Sequence, residues 1–158
     1  MFAGLISDFC AEILITILFA IWAICRKIWT SLHKNIDIIN WSPDGQKVCF
    51  VMYQKRKREI YVFDLISGKK INLTNSIADD FSPVWSPDGD RIAFVTERDG
   101  NKEIYMVNAD GSKLKRLTFD PADDICPEWS PNGEKITYIS RKNGDVKISE
   151  VEVEKFNN

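Results

Sequence analysis

From about residue 36 onward, apolar and polar residues alternate in short runs closed by glycine, aspartate or asparagine. Arg91 to Thr96 places Ile92 and Phe94 on one face and Ala93 and Val95 on the other. Arg98-Asp99-Gly100-Asn101 makes a turn, and Glu103 to Asn108 forms the next strand. Asp110-Gly111-Ser112 then turns the chain into Lys113 to Thr118, while Ser82 to Ser86 supplies the strand before this set. Period-two alternation broken by turn residues every 8–12 positions, roughly, predicts short antiparallel strands and an all-β protein.

The first 35 residues follow a different rule. Ile13 to Cys25 is an apolar run in which only Thr16 is polar, and extending it back to Phe9 admits Glu12. As a helix, residues 9–25 would span about 26 Å, a little short of a ~30 Å hydrocarbon core. Asp8, Glu12 and Thr16 would share one helical face. The pattern suits a tilted membrane anchor or a helix packed on a protein surface. It suits a secretion signal less well, because the basic residues (Arg26, Lys27, Lys34) follow the apolar run and no cleavage box is evident. By the positive-inside rule, those bases would keep the following domain in the cytoplasm.

The strands are organised by a repeat. Trp41-Ser42-Pro43-Asp44-Gly45 returns 44 residues later as Trp85-Ser86-Pro87-Asp88-Gly89, and 44 residues later again as Trp129-Ser130-Pro131-Asn132-Gly133. Residues 41–84 laid over 85–128 without a gap share 17 of 44 positions, including Glu-Ile-Tyr at 59 and 103, Leu-Thr at 73 and 117, and Ala-Asp-Asp at 78 and 122. In the turn, proline presets φ, aspartate or asparagine tolerates the next position, and glycine takes the left-handed conformation. Tandem four-stranded units of this length are the signature of propeller blades. The units are 41–84, 85–128 and an incomplete 129–158, behind a hydrophobic segment at 1–35. The reading is thus a partial β-propeller of about three blades preceded by an N-terminal hydrophobic helix.

The pattern P-x-W-S-P-D-G, an apolar strand, I-Y and then L-T resembles the TolB propeller repeat, which also builds the propellers of prolyl oligopeptidase-like peptidases. The resemblance spans residues 36–153. It implies a propeller that binds protein or peptide partners, in a periplasmic, envelope-associated setting, and so conflicts with the charge rule on which side of the membrane the domain lies. Three departures stand out: Ile39 replaces the proline at 83 and 127, Ser149 replaces the tyrosine at 61 and 105, and the third copy has no Leu-Thr strand. On this count two copies of the chain would supply six blades, which predicts a homo-oligomer. Alternatively, Trp29-Thr30, one period before Leu73-Thr74, could occupy an outer-strand position.

Composition changes this picture little. Twenty-one lysines and arginines against 23 aspartates and glutamates give a net charge of −2, which offers nothing to nucleic acid. The cysteines at 10, 25, 49 and 126 and the lone His33 have no zinc-ligand spacing and read as free thiols of hydrophobic character. No cofactor or metal is implied. No nucleophile elbow, phosphate loop or triad is present, so the chain reads as a non-enzyme. Candidate partner-binding residues are the recurring carboxylates Asp80 and Asp124 and the basic tip Lys55-Arg56-Lys57-Arg58. The carboxylates could hold a cation, or could simply cap the connecting loops. The tip could meet an anionic group or be merely solvated; without its sister's glycine it is expected to turn less tightly. The three tryptophans fit blade-to-blade packing better than ligand stacking. The rival functional class is a detached substrate-gating propeller from a prolyl oligopeptidase-like peptidase.

Overall fold

A computed structural model describes residues 36–54 and 56–154. The hydrophobic segment, with Cys10, Cys25, Trp29-Thr30 and His33, lies outside the described residues, as does Lys55. Among the described residues no helix is long and apolar enough to cross a membrane.

Among the described residues, eleven strands form three antiparallel sheets. The first blade holds β1 (Ile36–Trp41), β2 (Lys47–Gln54), β3 (Lys57–Asp64) and β4 (Lys70–Asn72). The second holds β5 (Asp80–Trp85), β6 (Arg91–Thr96), β7 (Glu103–Asn108) and β8 (Lys115–Arg116), and the third holds β9 (Asp123–Trp129), β10 (Lys135–Lys142) and β11 (Asp145–Glu152). All are simple meanders. Each sheet begins about five residues before its repeat tryptophan, so the Ser-Pro-Asp-Gly turn joins the first two strands of a blade. A unit counted from the tryptophan therefore straddles two sheets.

The predicted alternation separates two cores. Ile92 and Phe94 join Trp85, Tyr105 and Val107 against Cys49, Val51, Ile60, Val62 and Leu73 of the first blade. Ala93 and Val95 join Ile104, Met106 and Leu117 against Ile136, Tyr138 and Val153 of the third. The central sheet is thus apolar on both faces, which is why β6 is buried along its whole length. Cys49 sits in the first of these cores, where burial pushes its thiol up to about 12. Cys126 departs from expectation: it is exposed.

Its exposure has a cause in the backbone. Ile38, Ser82 and Cys126, one repeat apart, all take positive φ (50°, 52° and 54°). Each lies where the innermost strand slips register against its neighbour. Such a bulge turns the strand and re-aims its side chains.

The outer strand is shorter than predicted, Lys115–Arg116 rather than 113–118, because Lys113 is left-handed (φ 54°). Pairing nevertheless continues by other means. The Leu117 N–H donates to the Ile104 carbonyl at 2.9 Å, and Thr118 Oγ1 accepts the Ile104 N–H at 2.9 Å. Leu73 and Thr74 do the same to Ile60 at 2.9 and 3.1 Å. The Leu-Thr motif therefore plugs the core with one side chain and finishes the ladder with the next.

The basic tip corrects a second expectation. Gln54 pairs with Lys57, so the first hairpin has a two-residue loop, whereas the second blade leaves six residues between Thr96 and Glu103. The first tip is the tighter because Arg56 itself takes the left-handed conformation, φ 70°, at the position of Gly100. That conformation costs a side chain about 1–2 kcal/mol. Arg56→Gly is expected to raise stability by about 1 kcal/mol, read as a higher urea midpoint with an unchanged slope. A lower midpoint would mean that the arginine has a compensating contact.

Candidate functional site

The inter-blade junctions are built by the repeat motif. In the first turn, Ser42 Oγ accepts the Lys47 N–H at 2.9 Å and donates to Asp44 Oδ1 at 2.6 Å, while the Gly45 N–H returns to the Ser42 carbonyl at 2.9 Å. Ser86 with Asp88, and Ser130 with Asn132, repeat the arrangement. Sequence reasoning credited proline, aspartate and glycine and missed the serine, whose hydroxyl ties both ends of the turn. The turns also nest: a Cβ on Gly89 would lie 3.6 Å from Pro43 Cδ, and one on Gly133 would lie 3.6 Å from Pro87 Cδ. Gly89→Val puts a β-branched residue at φ 75°, a conformation that L side chains rarely adopt. It is expected to cost about 2 kcal/mol, seen as a Tm several degrees lower. An unchanged Tm would show that the turn can adopt another form.

Two of the three repeat tryptophans reach back one blade. Trp85 Nε1 donates to the Asn40 carbonyl at 3.1 Å, and Trp129 Nε1 donates to the Val84 carbonyl at 3.2 Å. Trp41 departs from this packing role and is 45% exposed. Arg91 reaches forward: almost wholly buried, it donates to the Gly133 carbonyl at 3.3 Å, pairs with Asp88 at 3.1 Å and lies over the Trp129 ring.

The paired carboxylates stand at the opposite end of the inner strands, and neighbouring aspartates do different work. Asp79 accepts the Arg58 N–H at 3.0 Å and pairs with its guanidinium at 2.8 Å, so it ties the start of the second blade to the first hairpin. Burial works against ionisation, but the Arg58 N–H and guanidinium outweigh it and hold Asp79 below the usual carboxylate range. Asp123 does the same with the Lys102 N–H at 3.1 Å and Nζ at 3.2 Å. Arg58, which also lies over the Phe81 ring, is thereby committed between blades. Of the other described residues of the basic run, Arg56 is exposed and Lys57 half-buried.

Asp80 and Asp124 instead turn into their own blades, fully buried, opposite Thr96 and Ser140. Asp80 Oδ1 accepts from Arg98 at 3.2 Å, and that guanidinium also bonds Thr96 Oγ1 at 3.0 Å and lies over the Tyr105 ring at 4.7 Å. Burial pushes the Asp80 carboxyl up, with Thr96 and Arg98 offsetting part of the rise. Asp124 is raised too, by burial first; the nearby Ser140 and Thr118 hydroxyls ease it, and the charges of Asp120 and Glu103 add to it. Glu103 is itself buried and held by Arg116 at 2.9 Å, Asn101 at 2.8 Å and Thr118 Oγ1 at 2.5 Å. Among the described residues no cluster of His, Cys, Asp and Glu could hold a metal ion.

The family profile of the TolB beta propeller domain matches residues 18–157. The chain belongs to this family. A TolB structure from Agrobacterium tumefaciens is 30% identical, superposes with a TM-score of 0.68 and is matched over 75% of this chain and 47% of its own. A TolB structure from Acinetobacter baumannii is also 30% identical, with a TM-score of 0.62, over 71% of this chain and 28% of that one. The Tol-Pal system protein TolB of Methylobacillus flagellatus is 49% identical over 35 residues, which make up 22% of this chain and 8% of that protein. The TolB-like chain therefore spans less than half the length of these relatives. What it shares with the two TolB structures is the fold of residues that make up 75% and 71% of this chain.

Proposed function

We propose that this TolB-like chain is a non-catalytic protein-interaction module that works at the cell envelope. The observation that carries this reading is the match of the TolB beta propeller domain along residues 18–157, together with 30% identity to two TolB structures. The name of the Methylobacillus relative places that protein in a Tol-Pal system, and a partner of the same general kind, a protein or peptide of the envelope, is the one this chain would bind. Membrane association through residues 9–25 belongs to the same proposal and would bring the blades close to such partners. Affinity capture of the full chain from detergent-solubilised cells tests it. A discrete envelope protein should co-purify in stoichiometric amount. Recovery of the chain alone, or with a Ser-hydrolase domain, would overturn the reading, the latter in favour of a substrate-gating role.

The proposal extends to self-association. On the face of the third blade corresponding to the second blade's Val95 and Ile104, Ile148 is 79% exposed and Ile139 half-buried. We propose that a further blade from a second copy covers this face. Light scattering on the full chain in detergent should give a multiple of the protomer mass after the detergent is subtracted. A monomer at micromolar concentration would remove the self-association.

A further inference from the structure

The second and third blades differ at the place where Asp80 and Asp124 are buried. In the second blade β6 stops at Thr96, which frees Arg98 from the ladder to fold back onto Asp80 over the Tyr105 ring. In the third blade β10 runs on to Lys142, the residue one period after Arg98, and Lys142 pairs in register with Asp145 across a two-residue Asn143-Gly144 turn. It is exposed and makes no ion pair with Asp124. Ser149 stands where Tyr105 supplies the aromatic platform. The third blade thus has neither guanidinium nor ring at these two positions. In the same neighbourhood is a cavity of about 280 Å³, lined by Asp120, Ala122, Ser140, Lys142, Asp145 and Lys147.

Beside this cavity lie polar groups without partners. Ser140 is 2% exposed, lines the cavity, and its Oγ has no hydrogen-bond partner. Asp124, directly opposite Ser140 in the ladder and 0% exposed, has no hydrogen bond of ordinary geometry on either carboxylate oxygen and no cation paired with it; only the Ser140 and Thr118 hydroxyls ease its charge. Asp80, by contrast, lacks one on Oδ2 alone. A buried carboxylate with no counter-charge is costly: it takes up a proton, the direction in which burial moves Asp124, or it gains a cation from outside. The second blade shows which group satisfies this carboxylate position: a guanidinium bonded at once to the aspartate and to the hydroxyl beside it.

We propose that the third-blade cavity is a socket for an arginine side chain of a protein partner, whose guanidinium bonds Ser140 beneath and Asp120 at the rim and is drawn by the buried charge of Asp124, which lies opposite Ser140 and does not itself line the cavity. This rests on the interaction-module reading and gives that module a specific contact. Its planar fork suits a carboxylate next to a hydroxyl better than a point-charge ammonium does. Specificity would then lie in the blade that departs from its sisters.

The test titrates the full chain with N-acetyl-arginine-amide, with N-acetyl-citrulline-amide as the uncharged isostere, following amide shifts of Ser140 and Lys147 by NMR. Arginine should bind in the millimolar range and citrulline should not. Asp124→Asn should weaken arginine binding by at least about 10-fold, the size of a lost charge-assisted pair. It should also raise Tm, because the unpaired buried charge is gone; a merely structural aspartate would lower it. Asp120→Asn, at the exposed rim, should weaken binding by a smaller factor and leave Tm unchanged, which keeps the test open if the first variant folds poorly. Equal affinities for arginine and citrulline, or wild-type affinity in both variants, would overturn the socket. So would arginine binding that emerges only in Lys142→Met, since the chain's own ammonium would then be the occupant. Calcium binding with no response to arginine would overturn it in favour of a cation site. Failure of this titration alongside stoichiometric capture of an envelope protein would remove the socket alone and leave the module reading standing.

Discussion

Trp85→Ala is expected to lower the unfolding free energy by about 3–5 kcal/mol, the usual cost of truncating a packed aromatic to alanine. The indole lies in the core between the first two blades, against Cys49, Ile60 and their neighbours, and its Nε1 donates to the Asn40 carbonyl at 3.1 Å. The substitution removes an inter-blade hydrogen bond and opens a cavity at the same junction. Trp41→Ala is the internal control: with 45% of its surface exposed, Trp41 should matter far less. Urea unfolding of the two variants separates the cases. Equal midpoints would show that burial does not rank the tryptophans as described.

The second large effect is expected at Thr118, through hydrogen bonding instead of volume. Its Oγ1 accepts the Ile104 N–H and donates to the buried carboxylate of Glu103. Thr118→Val keeps the shape and leaves the Ile104 N–H and Glu103 Oε2 without these bonds, while Glu103 Oε1 keeps Arg116 and Asn101. Each unsatisfied buried group costs about 1–3 kcal/mol, more when charged, so a loss of about 2–4 kcal/mol is expected. Thr118→Ser retains the hydroxyl and should recover most of it. Hydrogen exchange at the Ile104 amide gives the local readout: it should quicken in the valine variant beyond what the global loss explains. A valine variant as stable as the serine one would mean that the backbone finds another acceptor.

How much of this could be read from the residues depended on how far away a partner lies. β6 and β7 match their predicted bounds, 91–96 and 103–108, because the turn residues that end them are local. The two cores follow from the alternation of Ile92 to Val95, which the sequence displays directly. The division of labour between Asp79 and Asp80 was not legible. The partner of Asp79 is Arg58, 21 residues earlier in the previous blade, and that of Asp80 is Arg98, 18 residues later in its own. Arg91 was read as an ordinary strand start because its acceptor, Gly133, is 42 residues away. The 44-residue offset offered a route: any residue facing the junction should be checked against the same position one repeat on. Applied to Arg98 and Tyr105, that comparison gives Lys142 and Ser149, the two changes behind the third-blade cavity. The bulges at Ile38, Ser82 and Cys126 gave no signal, since none is a glycine although all three take positive φ.

The junctions also imply how the molecule comes apart. Every link described runs to an adjacent blade only: Trp85 and Trp129 backward, Arg91 forward, Asp79 and Asp123 to the preceding hairpin. A structure held by nearest-neighbour terms loses order by fraying, with each unit opening at its own free energy. The central sheet is gripped from both sides, so the amides of β6 and β7 should exchange only when the whole domain unfolds. The third blade can release its grip on Arg91 and Lys102 and still leave the first junction closed. A partner that seats on the third blade would therefore bind a unit able to open on its own, and would slow exchange in β10 and β11 far more than in β2 and β3.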